Sequence, residues 1–184
     1  MATQGVILIR FGSSNLQDLK ARLTAALPSL RQVFGPAHHE PLVSEIAAWG
    51  AERGWAYLGQ GESRVVFRLS PTRVVKFAIP ESFGVDHNQL ERKVWMLADA
   101  RLQRHLVPVR AIGANGRWLI MDFARTPGRI SDSTIQKLLT QTYGISDVPF
   151  TGDEDPNVSV DGRLVDYAQV DLDRVRKASM MRSS

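Results

Sequence analysis

The chain has 184 residues, enough for one domain with a sizeable core, and its 43% apolar and 23% charged content is ordinary for a globular protein. It lacks cysteine, which excludes disulfides and thiolate metal sites. The net charge of +4 favours anionic ligands but is too small to indicate nucleic-acid binding by itself. No apolar run approaches the ~20 residues that span a bilayer. We find no signal-peptide pattern and expect a cytoplasmic protein without membrane contact.

Residues 1–54 predict a short strand followed by two helices. The apolar run Val6–Phe11 indicates the strand. Asn15 is placed to cap the first helix, and Pro28 should break or kink that helix near its end. The second helix should stop around Gly54. We therefore expect an N-terminal strand and helical extension that packs on the domain that follows.

The stretch Tyr57–Ile79, YLGQGESRVVFRLSPTRVVKFAI, predicts three strands joined by a glycine turn and a tight loop. Gly59 and Gly61 lie at the first turn, where missing side chains would let backbone amides approach a phosphate. Lys76 is the lone cation in the apolar third strand. A buried ammonium group needs an anionic partner, either a carboxylate or a phosphate. The alternative is an ordinary hairpin whose lysine reaches the solvent.

At these residues the chain resembles the protein-kinase-like superfamily. LGQGESRVVF is similar to the kinase glycine-rich loop, and RVVK is similar to the strand that carries the ATP-contacting lysine. The resemblance implies that Gly59, Gly61 and Lys76 contact the phosphates of ATP. Arg64 replaces the third glycine of the loop, which departs from the pattern, and it would itself be placed to contact a phosphate.

A helix should follow, capped by Asp86 and continuing to about Leu102. Glu91 borders its apolar face. In the kinase pattern this helix supplies the acid that pairs with the strand lysine and holds it against the α- and β-phosphates. The resemblance therefore implies a pair between Glu91 and Lys76. The alternative is a solvent-exposed glutamate with local partners.

Two further strands are predicted over Leu106–Gly113 and Trp118–Phe123, joined by a turn. The second of them, in WLIMDFA, resembles the last strand of the kinase N-lobe, which leads into the hinge. The resemblance implies that backbone groups from Asp122 to Ala124 bind an adenine edge, with Met121 at the back of the base pocket.

Asp161-Gly162 is a strong hairpin signal, and Asp166-Tyr167-Ala168 follows it closely. This arrangement is similar to the magnesium-binding hairpin of kinases, although Ala168 replaces the usual glycine. The resemblance implies that Asp166 and Asn157 are the metal ligands. Two hard oxygen ligands about one hairpin apart suit Mg²⁺, which takes phosphate oxygens and waters for the rest of its shell.

The catalytic base has two candidates. GDEDPN resembles the GDLHPGN of small-molecule and bacterial kinase-like proteins with one residue deleted, which implies Asp153. Asp147 is the other candidate, with an insertion before Asn157. The third interpretation is an acidic surface loop without a catalytic role.

We therefore predict an α+β fold. A kinase-like N-lobe, an antiparallel sheet plus one C-type helix, would occupy residues 55–125. The extension 1–54 would precede it, and a strongly reduced C-lobe with a metal-site-like hairpin and a basic tail would occupy residues 126–184. The resemblance covers about residues 57–170 and leaves out the activation segment and the substrate-binding helices.

Two functions stay open. The first is a nucleotide-binding pseudokinase that acts through protein–protein interaction, and the second is a minimal ATP–Mg²⁺-dependent phosphotransferase. A basic nucleic-acid-binding domain is a third and weaker interpretation. The build is similar to small kinase-like proteins of bacteriophages and their hosts, which implies a host or virion protein as partner. The location would then be the host cytoplasm, or the virion.

Overall fold

The computed structural model describes residues 15–34 and 43–181. The predicted strand Val6–Phe11 and the last three residues of the tail lie outside the described residues. Two helices come first, α1 over Leu16–Phe34 and α2 over Val43–Ala51. The Asn15 side chain caps α1, because its Oδ1 accepts a hydrogen bond from the Gln17 amide at 2.9 Å.

Helix α1 continues through Pro28, so a break there is wrong, and the alternative of a kink stays a prediction. Leu30 and Phe34, which follow the proline, are buried against the rest of the protein. Tertiary packing of this apolar face stabilises the last turns of the helix in spite of the hydrogen bond that proline removes.

The centre of the fold is a five-stranded antiparallel sheet in the order β1-β2-β3-β5-β4. Its strands are Ala56–Gln60, Arg64–Ser70, Arg73–Ala78, Val109–Ile112 and Trp118–Asp122, numbered β1 to β5 along the chain. A 3₁₀ turn over Ala114–Gly116 joins the last two strands. Sheet and helices together confirm the predicted α+β class with an antiparallel sheet.

Alternation along the strands gives the sheet two buried faces. Val65, Phe67 and Phe77 point to the outer face and pack with α1 and α2. Trp49 of α2 meets Phe77 nearly edge-on, with ring centroids 5.8 Å apart. The residues that alternate with these along the strands, including Val74, point to the inner face. They join a second core with α3 and the C-terminal part. Strand period alone therefore assigns the even-numbered residues of β2 and β3 to the inner face.

Helix α3 covers the inner face and runs over Gly84–Leu97. Asp86 lies inside its first turn, so the predicted cap is wrong. The helix also ends before Leu102, because Ala98 is extended and Asp99 caps a separate short helix, α4, over Ala100–Gln103. The Asp99 side chain accepts a hydrogen bond from the Leu102 amide at 2.8 Å. Aspartate competes in this way with helix continuation.

The C-terminal part contains two short helices. Helix α5 spans Ser133–Lys137 and continues as a π-helical turn over Leu138–Thr142, and helix α6 spans Leu172–Met180. The predicted hairpin around Asp161-Gly162 is a tight turn with one isolated bridge, between Val158 and Leu164, instead of two strands. In that turn the Gly162 amide donates to the Ser159 carbonyl at 2.8 Å, with a φ of 79° that favours glycine.

Within the described ranges, no helix has the length and apolarity to cross a bilayer. Helices α1 and α2 cover the outer face of the sheet, whereas residues of the C-terminal part pack on its inner face. The division into 1–54, 55–125 and 126–184 stays a prediction.

Candidate functional site

A cleft of about 660 Å³ lies between the inner face of the sheet and the segment 156–169. It contains most of the side chains and backbone positions that the sequence marked. Those that line it are Gly59, Gly61, Arg64, Lys76, Asp122, Ala124, Asp147, Asn157 and Asp166. Glu91 lies buried behind the cleft wall, and Asp153 is exposed and does not line it.

Lys76 and Glu91 form a buried ion pair. Strand β3 places the Lys76 side chain on the inner face, and α3 places Glu91 opposite, on the buried face that it shares with Val94. Lys76 Nζ lies 2.8 Å from Glu91 Oε1 and 3.1 Å from Oε2. The same nitrogen donates to the Val165 carbonyl at 2.7 Å. These three acceptors match the three donors of an ammonium group.

Arg64 adds a second cation to this pair. Its Nη1 donates to Glu91 Oε1 at 2.8 Å, and its Nη2 donates to Asp166 Oδ2. The side chain is only 7% exposed. Burial alone would lower the pKa of Arg64, but the charges of Glu91 and Asp166 and the hydrogen bonds to them raise it overall. The sequence placed Arg64 beside a phosphate, whereas the structure places its guanidinium group between two carboxylates.

The two carboxylates respond differently to these cations. Burial raises the pKa of Glu91 above its ordinary value, with Lys76 and Arg64 acting in the opposite direction. Asp166 is 31% exposed, and Lys76 Nζ lies 3.8 Å from its Oδ2. Burial would raise the pKa of Asp166, but Lys76 and Arg64 hold it well below its usual range. With both carboxylates ionised, the four side chains form a cluster without net charge.

The predicted metal ligands do not fit Mg²⁺ in this arrangement. Asp166 and Asn157 both line the cleft, but one carboxylate oxygen of Asp166 already accepts from Arg64 and lies near Lys76. The affinity for a hard dication depends on the negative charge of its ligands, and Arg64 and Lys76 already offset that charge at Asp166. In residues 15–34 and 43–181, no group of three or more histidine, aspartate or glutamate side chains is placed to hold a metal ion.

The structure separates the two candidates for the base. Asp147 lines the cleft, and burial, followed by the charges of Asp166 and Asp155, raises the pKa of Asp147 above its ordinary value. Asp153 lies in the exposed turn beyond Phe150, where its amide donates to the Phe150 carbonyl at 3.2 Å. A base must reach the reacting hydroxyl group, so the position of Asp147 suits that role better.

The glycines differ from their predicted positions. Gly59 lies within β1, paired with Val66 of β2, so only Gly61 belongs to the turn. The Gly61 amide donates to the Arg64 carbonyl at 3.0 Å and closes that turn. A Cβ atom added at Gly59 or Gly61 would meet no atom within 4 Å. The two glycines therefore leave open space at the cleft, while the Gly61 amide is already engaged.

The segment 122–124, where the resemblance predicts an adenine-binding hinge, offers fewer backbone donors than predicted. The Asp122 amide donates to the Pro108 carbonyl at 3.0 Å, and the Phe123 amide donates to the Thr72 carbonyl at 2.9 Å. An adenine edge would therefore depend on the amide of Ala124 as its donor.

His87 is a cleft residue that the sequence analysis missed. Its Nδ1 lies 3.0 Å from Ser63 Oγ, and its ring lines the cleft. Burial, followed by the charge of Arg64, lowers the pKa of His87 below 6.5. His87 precedes Glu91 by one helical turn, and this spacing on one face is the signal that could have identified it.

No protein-family model matches the sequence, and no curated protein is significantly similar to it. Among solved structures, the chain is similar to SAICAR-synthase from Saccharomyces cerevisiae, in complex with SAICAR, at 11% identity and a TM-score of 0.27. The match covers 69% of this chain and 59% of that chain, so this chain spans less than two thirds of it. The likeness is distant.

Proposed function

We propose that this chain is a kinase-fold protein that binds a nucleoside triphosphate such as ATP in the cleft and acts as a pseudokinase. The observation that carries the proposal is the convergence of Lys76, Glu91 and Asp166. These residues come from β3, from α3 and from the segment before α6. Lys76 and Asp166 line the cleft, Glu91 lies behind its wall, and Lys76 Nζ is within hydrogen-bonding or ion-pair distance of both carboxylates. A purely structural hairpin lysine would not need two carboxylates from separate parts of the chain.

The composition of the cleft supports a nucleotide. Its volume of about 660 Å³ falls within the range of ~300–1,000 Å³ typical of small-molecule sites. Its walls combine apolar side chains, among them Val74, Val107 and Met121, with the cations Lys76 and Arg64. Apolar side chains suit a base, and cations suit phosphate oxygens.

Binding without transfer is the form of the proposal that the charges favour. Arg64 takes the place of the third loop glycine and neutralises Asp166, the carboxylate that would hold a metal ion. Phosphoryl transfer depends on neutralising charge with metal ions between the phosphates. A pseudokinase acts through a partner protein, so the proposal includes a host or virion protein if the chain is phage-encoded.

A thermal-shift experiment with ATP tests nucleotide binding. Wild type should gain stability by mass action, by about 2.7 kcal/mol at a ligand concentration of 100 times Kd. Lys76→Ala should gain less, whereas Lys93→Ala, an exposed lysine on α3, should gain as much as wild type. The absence of any shift in wild type at millimolar ATP would contradict the proposal.

An active phosphotransferase is the second candidate, and the presence of Asp147 in the cleft wall favours it. Asp147 would position the hydroxyl group of the acceptor. Mass spectrometry for autophosphorylation tests this candidate. Asp147→Asn should then reduce the rate by about 10²–10⁴-fold, whereas Asp153→Asn should leave it nearly unchanged. Equal losses in both variants would exclude a specific role for Asp147.

A further inference from the structure

We propose that Arg64 supplies, at Asp166, the positive charge that a divalent metal would otherwise supply, so that the cleft binds a nucleoside triphosphate without a metal ion. The inference rests on the proposed nucleotide-binding function. It deepens that function by naming the ligand as the metal-free triphosphate and Arg64 as the residue that selects it.

The charge balance of the cluster is the first step of the argument. Arg64 donates to Glu91 at 2.8 Å and also to Asp166, and Lys76 lies 3.8 Å from Asp166. With both carboxylates ionised, the two cations and two carboxylates sum to zero. A dication at Asp166 would lie beside two cations, Arg64 and Lys76, and like charges at such distances in a largely buried cluster repel one another. Without Arg64, the other three side chains of the cluster would carry a net charge of −1 and would attract a metal ion.

The donors that remain for a phosphate are the second step. The three acceptors around Lys76 Nζ, two on Glu91 and one on Val165, account for the donors of its ammonium group. The Arg64 guanidinium has five N–H donors, and one from each terminal nitrogen goes to Glu91 and to Asp166. Its planar fork also matches phosphate oxygens. Arg64 is therefore better placed than Lys76 to donate to a phosphate.

The position of Arg64 is fixed before any ligand binds. Arg64 is 6% exposed, and as the first residue of β2 it pairs with Ala78 of β3. The Gly61 amide donates to its carbonyl oxygen at 3.0 Å. Strand pairing, the turn and two ion pairs thus hold the guanidinium in the cleft wall. A charge held in this way costs little reorganisation when an anion binds.

Calorimetric titration of wild type with ATP tests the inference without a variant. We expect the Kd in excess EDTA to lie within about twofold of the Kd in Mg²⁺. Binding that is about tenfold or more weaker in EDTA would overturn the inference and leave the proposed function intact. Absence of ATP binding in both buffers would overturn the proposed function itself.

A variant then tests whether Arg64 is responsible. Arg64→Ala should bind ATP more weakly in EDTA than in Mg²⁺, because Asp166 regains a free carboxylate. Arg129→Ala is the matched control, because Arg129 pairs with Glu154 at 2.8 Å, is exposed and does not line the cleft. It should keep the metal independence of wild type. Metal-independent binding by Arg64→Ala would overturn the assignment to Arg64. If circular dichroism shows that this variant does not fold, the wild-type titrations in EDTA and in Mg²⁺ still decide whether binding needs a metal ion.

Discussion

The Arg64 guanidinium donates a hydrogen bond to the Asp166 carboxylate across the cleft, 102 residues further along the chain. This contact joins the first residue of β2 to the segment that precedes α6. It therefore connects the five-stranded sheet to the C-terminal part by side-chain charge as well as by packing.

The first prediction concerns this ion pair. In a double-mutant cycle of Arg64→Ala and Asp166→Ala, the two free energies of unfolding should be non-additive by about 0.5–3 kcal/mol, because the residues share one contact. We expect a coupling free energy near the lower end of this range, because Asp166 is 31% exposed and solvent screens part of the attraction. Urea denaturation measures the term. A matching cycle on the exposed Arg129–Glu154 pair should show almost no coupling. Additivity at both pairs would contradict the prediction.

The second prediction concerns Glu91, which is fully buried and accepts hydrogen bonds from both cations. Glu91→Gln keeps the shape but leaves Lys76 and Arg64 with one carboxylate between them. Removing one partner of a buried ion pair costs about 3–5 kcal/mol, and we expect a loss of that size in urea denaturation. Glu62→Gln, at an exposed glutamate, is the control and should have little effect. A loss below about 1 kcal/mol would indicate that Glu91 is protonated in the native state.

The Lys76–Glu91 contact could be predicted, because a lysine in an apolar strand requires an anionic partner and the kinase resemblance implies Glu91 of the following helix as that partner. The contact of Arg64 with Asp166 could not be predicted in this way. Strand period assigns Arg64 to the inner face with Val66, but its contact with Asp166 depends on how distant segments fold together. The glycine-loop pattern predicts a phosphate as the partner of Arg64. The residues around Arg64 in the sequence do not show that two carboxylates lie beside its guanidinium group.

Other differences have local causes. Aspartate is a common N-cap residue, which is why Asp86 was the predicted cap. Helix α3 nevertheless begins at Gly84, where a Cβ atom would lie 2.1 Å from the Ser63 carbonyl oxygen. The helix start thus packs closely against the turn between β1 and β2, which contains Ser63, and this packing favours the boundary at Gly84. The turn around Asp161-Gly162 was predicted correctly, but its flanking strands form one isolated bridge only. Hairpin signals identify turns better than they identify the length of the ladder beside them.

The third prediction is a depressed pKa for His87. Burial and the charge of Arg64 lower its pKa from 6.5, Lys76 acts in the same direction, and Asp166 and Asp86 oppose them. NMR titration of the ring should therefore give a pKa below 6.5. Arg64→Ala should move that pKa upward. His105, whose pKa is lowered by burial and by Arg101 and Arg104, should not respond to this substitution.

The sign of the pH effect follows from this depression. As the pH falls through 6.5, the unfolded chain protonates His87 before the folded protein does. His87 therefore contributes to the loss of stability on acidification. His87→Gln should lose less stability than wild type between neutral pH and about pH 5.5 in urea denaturation. A pKa of His87 above 6.5, or a steeper loss in the variant, would contradict the prediction.

The last prediction concerns the contact between Gly128, in the segment after β5, and Asp155, in the GDEDPN loop. We call this contact the seam. Gly128 exchanges hydrogen bonds with Asp155: its carbonyl accepts from the Asp155 amide at 2.8 Å, and its amide donates to the Asp155 carbonyl at 3.3 Å. A Cβ atom at Gly128 would lie 1.9 Å from the Ser159 carbonyl oxygen. Backbone atoms cannot yield as side-chain ends do, so Gly128→Ala should cost about 1–3 kcal/mol or more.

Gly61→Ala is the matched control, because the added Cβ atom would meet no atom within 4 Å and φ there is not in the left-handed region. Its stability should be nearly that of wild type. The seam also carries Asn157, whose amide donates to Asp155 Oδ1 at 2.6 Å and whose carbonyl accepts from the Val165 amide at 2.8 Å. Gly128→Ala should therefore shift the Val165 carbonyl away from Lys76 and weaken ATP binding as well as folding. Loss of stability with unchanged ATP affinity would show that the seam supports the fold without positioning the cleft.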